Sequence, residues 1–167
     1  MLKTNIIVLL KSASASLILV FFMFTSALAQ DAVVFEQSTL KIETTDAVHN
    51  FEIEIATNDE QRARGLMFRN DMAPDAGMLF VYRRDRVLTM WMANTYLPLD
   101  MLFIGSDGRI VRIAENTIPL SRTTISSRNR ARAVLELNAG TARRLGINAG
   151  DRVVYDGLPG QQGPDYR

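Results

Sequence analysis

Four residues whose side chains could do chemistry stand close together in the stretch Met90-Trp91-Met92-Ala93-Asn94-Thr95-Tyr96-Leu97-Pro98-Leu99-Asp100-Met101. Trp91 offers a flat stacking surface, Asn94 and Thr95 offer hydrogen bonds in both senses, and Asp100 offers charge or acid–base chemistry. The runs on either side are apolar enough to be core strands, so these polar groups must be satisfied internally or be presented to a ligand. For Asp100 the choice is sharp, because an unpaired buried charge costs several kcal/mol. It can accept hydrogen bonds from the backbone or side chains of Asn94 and Thr95, pair with Arg69, or face a ligand. Arg69 itself ends the apolar run Leu66-Met67-Phe68 and suits either an ion pair or a ligand contact. Glu115, on a strand expected beside that of Asp100, completes the candidate set of Arg69, Trp91, Asn94, Thr95, Asp100 and Glu115. Asp100 and Glu115, with Glu136 in reach, would also make a carboxylate pair for hydrolysis.

Other chemistry is sparsely represented. The chain carries no Gly-x-Ser-x-Gly elbow, no phosphate-cradling glycine loop ending in Lys-Ser/Thr and no His-Glu-x-x-His. With one His and no Cys, multi-histidine metal sites, thiolate ligands, disulfides and cysteine nucleophiles are excluded. Met90, Met92 and Met101 could offer thioethers to Cu(I), but Met is ordinary core filler, and no metal or cofactor is expected. Between Asn116 and Arg132 the chain holds Arg122, Arg128, Arg130 and Arg132 and no acidic residue. A polar connection of that length suits either a solvated loop docked on the acidic first strands or a contact for an anionic small molecule or envelope polymer.

The elements that must position these groups are mostly strands. Val33-Val34-Phe35 and Leu40-Lys41-Ile42-Glu43 are expected as two short strands around a turn at Gln37-Ser38, and Phe51-Glu52-Ile53-Glu54-Ile55 alternates as a half-buried strand. Asn58 with Gln61 forms a capping box for a short helix that Gly65 can close in the left-handed conformation. Met78–Tyr82 and Val87–Met92 are expected as a hairpin turning at Arg83–Arg86. Gly105-Ser106-Asp107-Gly108 is a second hairpin turn, leading into the strand Arg109–Glu115. After the polar connection come the strand Ala133–Leu137, a short helix from Asn138 or Thr141 to Gly146, and the strand Arg152–Tyr155.

The first 29 residues read as a secretory leader: Lys3 and Lys11, the apolar run Leu17–Phe24, and Ala27-Leu28-Ala29 before Gln30. The apolar run is short of the ~20 residues a spanning helix needs. Cleavage after Ala29 predicts a periplasmic or secreted protein of 138 residues, one domain over 30–156 and a disordered tail over 157–167. Without Lys3 and Lys11 the net charge is −1, which gives no general support to nucleic-acid binding. The charge is unevenly spread, however: residues 31–60 carry −7 and residues 61–132 carry +6.

Gly65-Leu66-Met67-Phe68-Arg69, Gly77-Met78-Leu79-Phe80, Trp91-Met92-Ala93-Asn94-Thr95 with Pro98-Leu99-Asp100, and Leu135-Glu136-Leu137-Asn138-Ala139-Gly140 with Gly150-Asp151 together resemble domain of unknown function family 192. The resemblance spans about Leu40 to Tyr155. It implies a small, mostly β, frequently exported α+β domain with no agreed activity. The chain departs from the family pattern at Ala93, where Lys is common, so a cation is missing there. The expected fold is α+β and mostly antiparallel: a small, partly closed barrel or curled sheet with two short helices. The expected function is binding of a small ligand or envelope component at the loop Asn94 to Asp100. A hydrolase using Asp100 and Glu115, and a structural protein of the cell envelope, are the alternatives.

Overall fold

The alternation of apolar residues along the strands is resolved in three dimensions by a sheet that curls until its two edges meet. The structure, a computed structural model, describes residues 33–158. Seven strands run β1 (Glu36–Glu43), β2 (Val48–Ala56), β3 (Ala76–Met90), β4 (Leu99–Ile104), β5 (Ile110–Thr117), β6 (Ile125–Asn138) and β7 (Arg152–Val154), with helices α1 (Asp59–Arg64) and α2 (Thr141–Leu145). They pair in the order β5-β4-β6-β3-β2-β1-β7. The outer strands then approach each other through an Arg109–Arg152 bridge, with the Ile110 N–H donating to the Asp151 carbonyl at 2.9 Å and the Val153 N–H to the Gly108 carbonyl at 2.8 Å. The barrel is thus partly closed, and the sheet is mixed rather than purely antiparallel. β2 and β3 run parallel because the connection between them carries α1 across, whereas a tight turn would have reversed the chain.

Local chemistry explains the helix ends. The Asn58 side chain accepts from the Gln61 N–H at 2.8 Å, and the Gln61 side chain accepts from the Asn58 N–H, giving the expected capping box. Gly65 ends α1 at φ 46°, but its ψ of −140° lies outside the left-handed helical region. The ring of Phe80 would lie 3.1 Å from a Cβ at that position, so the glycine also lets the chain pass close over β3.

Three elements depart from expectation. Val33-Val34-Phe35 is not a strand; one continuous β1 begins at Glu36 and runs through Gln37-Ser38. The hairpin expected at Arg83–Arg86 is absent, and β3 is a single strand of 15 residues that bulges there against β6. The polar connection is correspondingly shorter, since Ile125–Arg132 is the first half of β6. Both long strands look like loops in sequence because their middle leaves the core and forms a two-stranded ribbon with arginines on its surface. Arg132 pairs with Asp85 at 3.0 Å, and Arg130 donates to the Asp85 carbonyl at 2.8 Å, holding the bulge in place.

The sheet buries residues on both faces. Inside the curl, Ile42, Ile53, Leu79, Leu102, Leu135 and Val153 pack together, joined at one end by Ala142 and Ile147 from α2 and the turn after it. On the outer face of β3, β4 and β6 a second core forms from Met78, Phe80, Met101, Phe103 and Val134, covered by Leu66, Met92 and Leu97 from two loops. Leu158 is buried against the inner core, so the chain expected as tail is ordered at least that far. The remainder of the tail and the expected leader lie outside the described residues. Among the described residues no helix is long and apolar enough to cross a membrane.

Candidate functional site

The two faces of the sheet separate two buried carboxyl groups. On β4, Asp100 pairs with Leu137, which faces the inner core, while Met101 pairs with Glu136, which faces the outer one. Asp100 has no exposed surface. Its Oδ1 accepts the Asn116 N–H and its Oδ2 the Ala142 N–H, each at 2.9 Å, so it ties β5 and the first turn of α2 to the end of β4. Neither Asn94, Thr95 nor Arg69 is its partner. As placed, Asp100 reaches no ligand surface, and Glu115 lies exposed on β5. The geometry therefore does not assemble these two as a catalytic pair.

Arg69 pairs instead with Glu54, donating to both carboxylate oxygens at 2.6 and 2.5 Å, with its guanidinium 5.8 Å from the Phe35 ring. The hydrogen bonds to Arg69 hold the Glu54 carboxyl below its ordinary value and raise the Arg69 guanidinium above its own. Asn94 sits at φ 58° and its carbonyl accepts the N–H of Phe68, itself at φ 65°, at 2.8 Å. The Thr95 carbonyl accepts the N–H of Leu120, at φ 62°, at 3.1 Å. Asn94 and Thr95 thus brace three loops against one another, and strained backbone collects around them.

Two of these loops, through residues 65–67 and through Trp91 and Thr95, wall a cavity of about 230 Å³ with the end of α1 and part of β3. Trp91 and Thr95, two of the expected residues, line it. Trp91 is 56% exposed, so its indole face is available at the mouth. At the base stands Glu136, 4% exposed and with no hydrogen-bond partner among the described residues. Its cross-strand neighbours are Met78 and Met101, both fully buried. Burial pushes the Glu136 carboxyl up from 4.5 to about 8, so it holds its proton at neutral pH and can donate a hydrogen bond. On the opposite, inner face Gly77 lets β3 and β6 approach closely: a Cβ there would lie 2.7 Å from both the Glu136 backbone carbonyl and the Leu137 side chain.

The rim is cationic and aromatic. Arg62 and Arg86 stack on Tyr82 at 5.1 and 5.2 Å, and Arg64 stacks on Phe68 at 4.9 Å. Arg62 is fully engaged, with Asp59 and with the Thr57 and Val81 carbonyls. Arg64 and Arg86 have no carboxylate partner among the described residues. Tyr82 donates to the Met90 sulfur at 3.6 Å, and burial raises its phenol above the ordinary value against the pull of the two guanidiniums.

In sequence Glu136 stands out only as a carboxylate in reach of Asp100 and Glu115. It stands in the apolar strand Ala133–Leu137, and a charge so placed is a signal, but both flanking faces are apolar and the sequence does not say which one it shares. Tyr82, Arg64 and Arg86 carry less signal: the first lies in an expected core strand and the other two in runs that read as solvated.

Residues 40–155 match DUF192, a family described as "Uncharacterized ACR, COG1430". No curated protein matches the chain. Among solved structures, a protein from Sinorhizobium meliloti 1021, provisionally described as a transcription regulator, is 49% identical with a TM-score of 0.72, over 73% of this chain and 95% of that one. A protein of unknown function from Novosphingobium aromaticivorans DSM 12444 is 34% identical with a TM-score of 0.70, over 77% of this chain and 97% of that one. The segment matched by the family reaches into every strand that builds the barrel, and on that ground the chain belongs to the DUF192 family.

Proposed function

We propose that this protein is an exported small-molecule-binding domain whose ligand enters beside Trp91 and reaches Glu136. The observation that carries this reading is the Glu136 carboxyl, buried against methionines, lining a cavity and lacking any hydrogen-bond partner among the described residues. Burying such a group without a partner costs free energy that an apolar residue of similar size would avoid. A ligand carrying a carbonyl or amide would supply the missing partner. Trp91 would then stack on its apolar or aromatic body, and Arg64 and Arg86 would favour a negative charge at its outer end. In this reading Glu136, rather than Asp100, is the polar anchor, and Trp91 and Thr95 line the same cavity.

A thermal-stability screen of small aromatic amides and carboxylates against the wild type and the Glu136→Leu and Trp91→Ala variants tests this. A ligand at a hundredfold excess over its dissociation constant adds about 2.7 kcal/mol of stability. The expected result is a stabilising compound whose effect disappears in both variants. A compound that stabilises both variants as much as the wild type would overturn the site. The Sinorhizobium relative's description adds a nucleic-acid arm to the screen, and a mixed-sequence DNA duplex is expected to give no shift. Export is tested separately by N-terminal sequencing of the protein recovered from the periplasm or medium, where Gln30 is expected as the first residue.

A further inference from the structure

Two arginines meet in a groove away from Glu136, neither of them ion-paired among the described residues. Arg112 leaves β5, lies 5.7 Å from the Phe103 ring and donates to the Ser126 carbonyl. Arg128 comes from β6, at the second slip in the β3–β6 register. Both line a groove of about 520 Å³ formed with the connection from β5 to β6. Neither has a carboxylate within ion-pair distance among the described residues, although Glu115 lines the same groove. Burial lowers the Arg112 guanidinium below its ordinary value, and the charge of Arg128 adds to that.

The backbone at Arg128 makes the arrangement hard to explain as chance. Its φ is +60°, a left-handed conformation that favours glycine, asparagine or aspartate. Its N–H donates to the Ser126 hydroxyl at 3.1 Å, and the next bulge contact, Leu88 N–H to the Ser127 hydroxyl at 2.9 Å, does not involve its side chain. A glycine would satisfy every backbone requirement of this bulge with less strain. A long cationic side chain there serves something other than the fold. The remaining walls carry hydroxyls and an amide from Asn116, Thr117, Ser121, Thr123 and Thr124, beside Glu115 and the apolar Ala114, Ile118 and Ile125.

We propose that this groove binds a small hydroxylated anion, a sugar bearing a phosphate or carboxylate, with the anionic group held between Arg112 and Arg128. Paired guanidiniums present parallel N–H donors that match either group, and the hydroxyl-lined walls match the ring. The site is independent of the Glu136 cavity and stands or falls separately from it.

Calorimetric titration of the processed protein at low salt with glucose 6-phosphate, glucuronate, inorganic phosphate and glucose tests the proposal. One or both anionic sugars are expected to bind, ahead of inorganic phosphate, while glucose does not; which of the two binds more tightly distinguishes a phosphorylated from a carboxylated ligand. Arg112→Gln and Arg128→Gln are each expected to weaken binding by at least about tenfold. Arg128→Gly is expected to lose binding equally while melting no lower than the wild type, since it relieves the left-handed strain. No binding of either sugar up to about 10 mM, or binding unchanged in both glutamine variants, would overturn the site. Phosphate binding as tightly as the sugars overturns the sugar assignment. An Arg128→Gly protein that melts below the wild type puts the arginine in the service of the fold and overturns the inference.

Discussion

At the scale of single residues, two carboxyl groups one strand apart have opposite energetics. Glu136 is held protonated by its apolar surroundings, with its carboxyl raised from 4.5 to about 8. Between those values the folded protein keeps a proton that the unfolded chain releases, so stability falls as pH rises across that window and levels off above it. The contribution is at most about 1.4 kcal/mol per pH unit for one proton. Glu136→Gln is therefore expected to flatten that slope and to unfold at higher denaturant than the wild type at pH 8, as measured by urea titrations at pH 5 and pH 8. Asp100, by contrast, stabilises the fold through hydrogen bonds. Its two oxygens satisfy the backbone N–H groups of Asn116 and Ala142 at zero exposure, and removing them strands both donors. Asp100→Ala is expected to cost about 3 kcal/mol in a urea titration, without altering ligand binding at Glu136 beyond that loss of fold.

At the scale of elements, α1 matters more for the chain it aims than for its own length. Its capping box fixes the helix start, and the chain then passes through Gly65 to place Leu66 in the outer core and Met67 on the cavity wall. Asn58→Ala is expected to cost about 1 kcal/mol of stability and to weaken any Trp91-dependent ligand as well, measured by denaturant titration and calorimetry on the same variant. The long strands β3 and β6 illustrate a different principle. Their arginine-rich middle has the composition of a turn and a loop, yet Arg130 and Arg132 are used to clamp the β3 bulge through Asp85. Arg128 and Arg122 remain exposed, and the fold gathers Arg128 with Arg112 rather than with its sequence neighbours.

At the scale of the whole molecule, the sheet encloses its inner core by closing on itself, and closure depends on small contacts near the chain end. Leu158 is 3% exposed, and its N–H donates to the Tyr155 carbonyl at 3.0 Å. Leu158→Ala is expected to cost about 2 to 3 kcal/mol in a urea titration, far more than a residue of a disordered tail would. The outer core needs no closure but does need its two loops, and the positive-φ residues Phe68, Asn94 and Leu120 show how tightly they are tied to each other.

What the sequence determined by itself was whatever depends on near neighbours along the chain: the Asn58 capping box, the Gly105–Gly108 turn, the alternation in β2, the strand character of Leu99–Ile104 and Ala133–Leu137, and the family to which the motifs belong. Trp91 and Thr95, which line the proposed cavity, stood out in sequence because polar and aromatic groups interrupt an apolar run there. Only the tertiary structure decided that Asp100 points inward while Glu136 points outward, and that Arg112 meets Arg128. A strand buried on both faces has no alternation to reveal which side is which, and its facing is set by register with partners far away in sequence and by the direction in which the sheet curls.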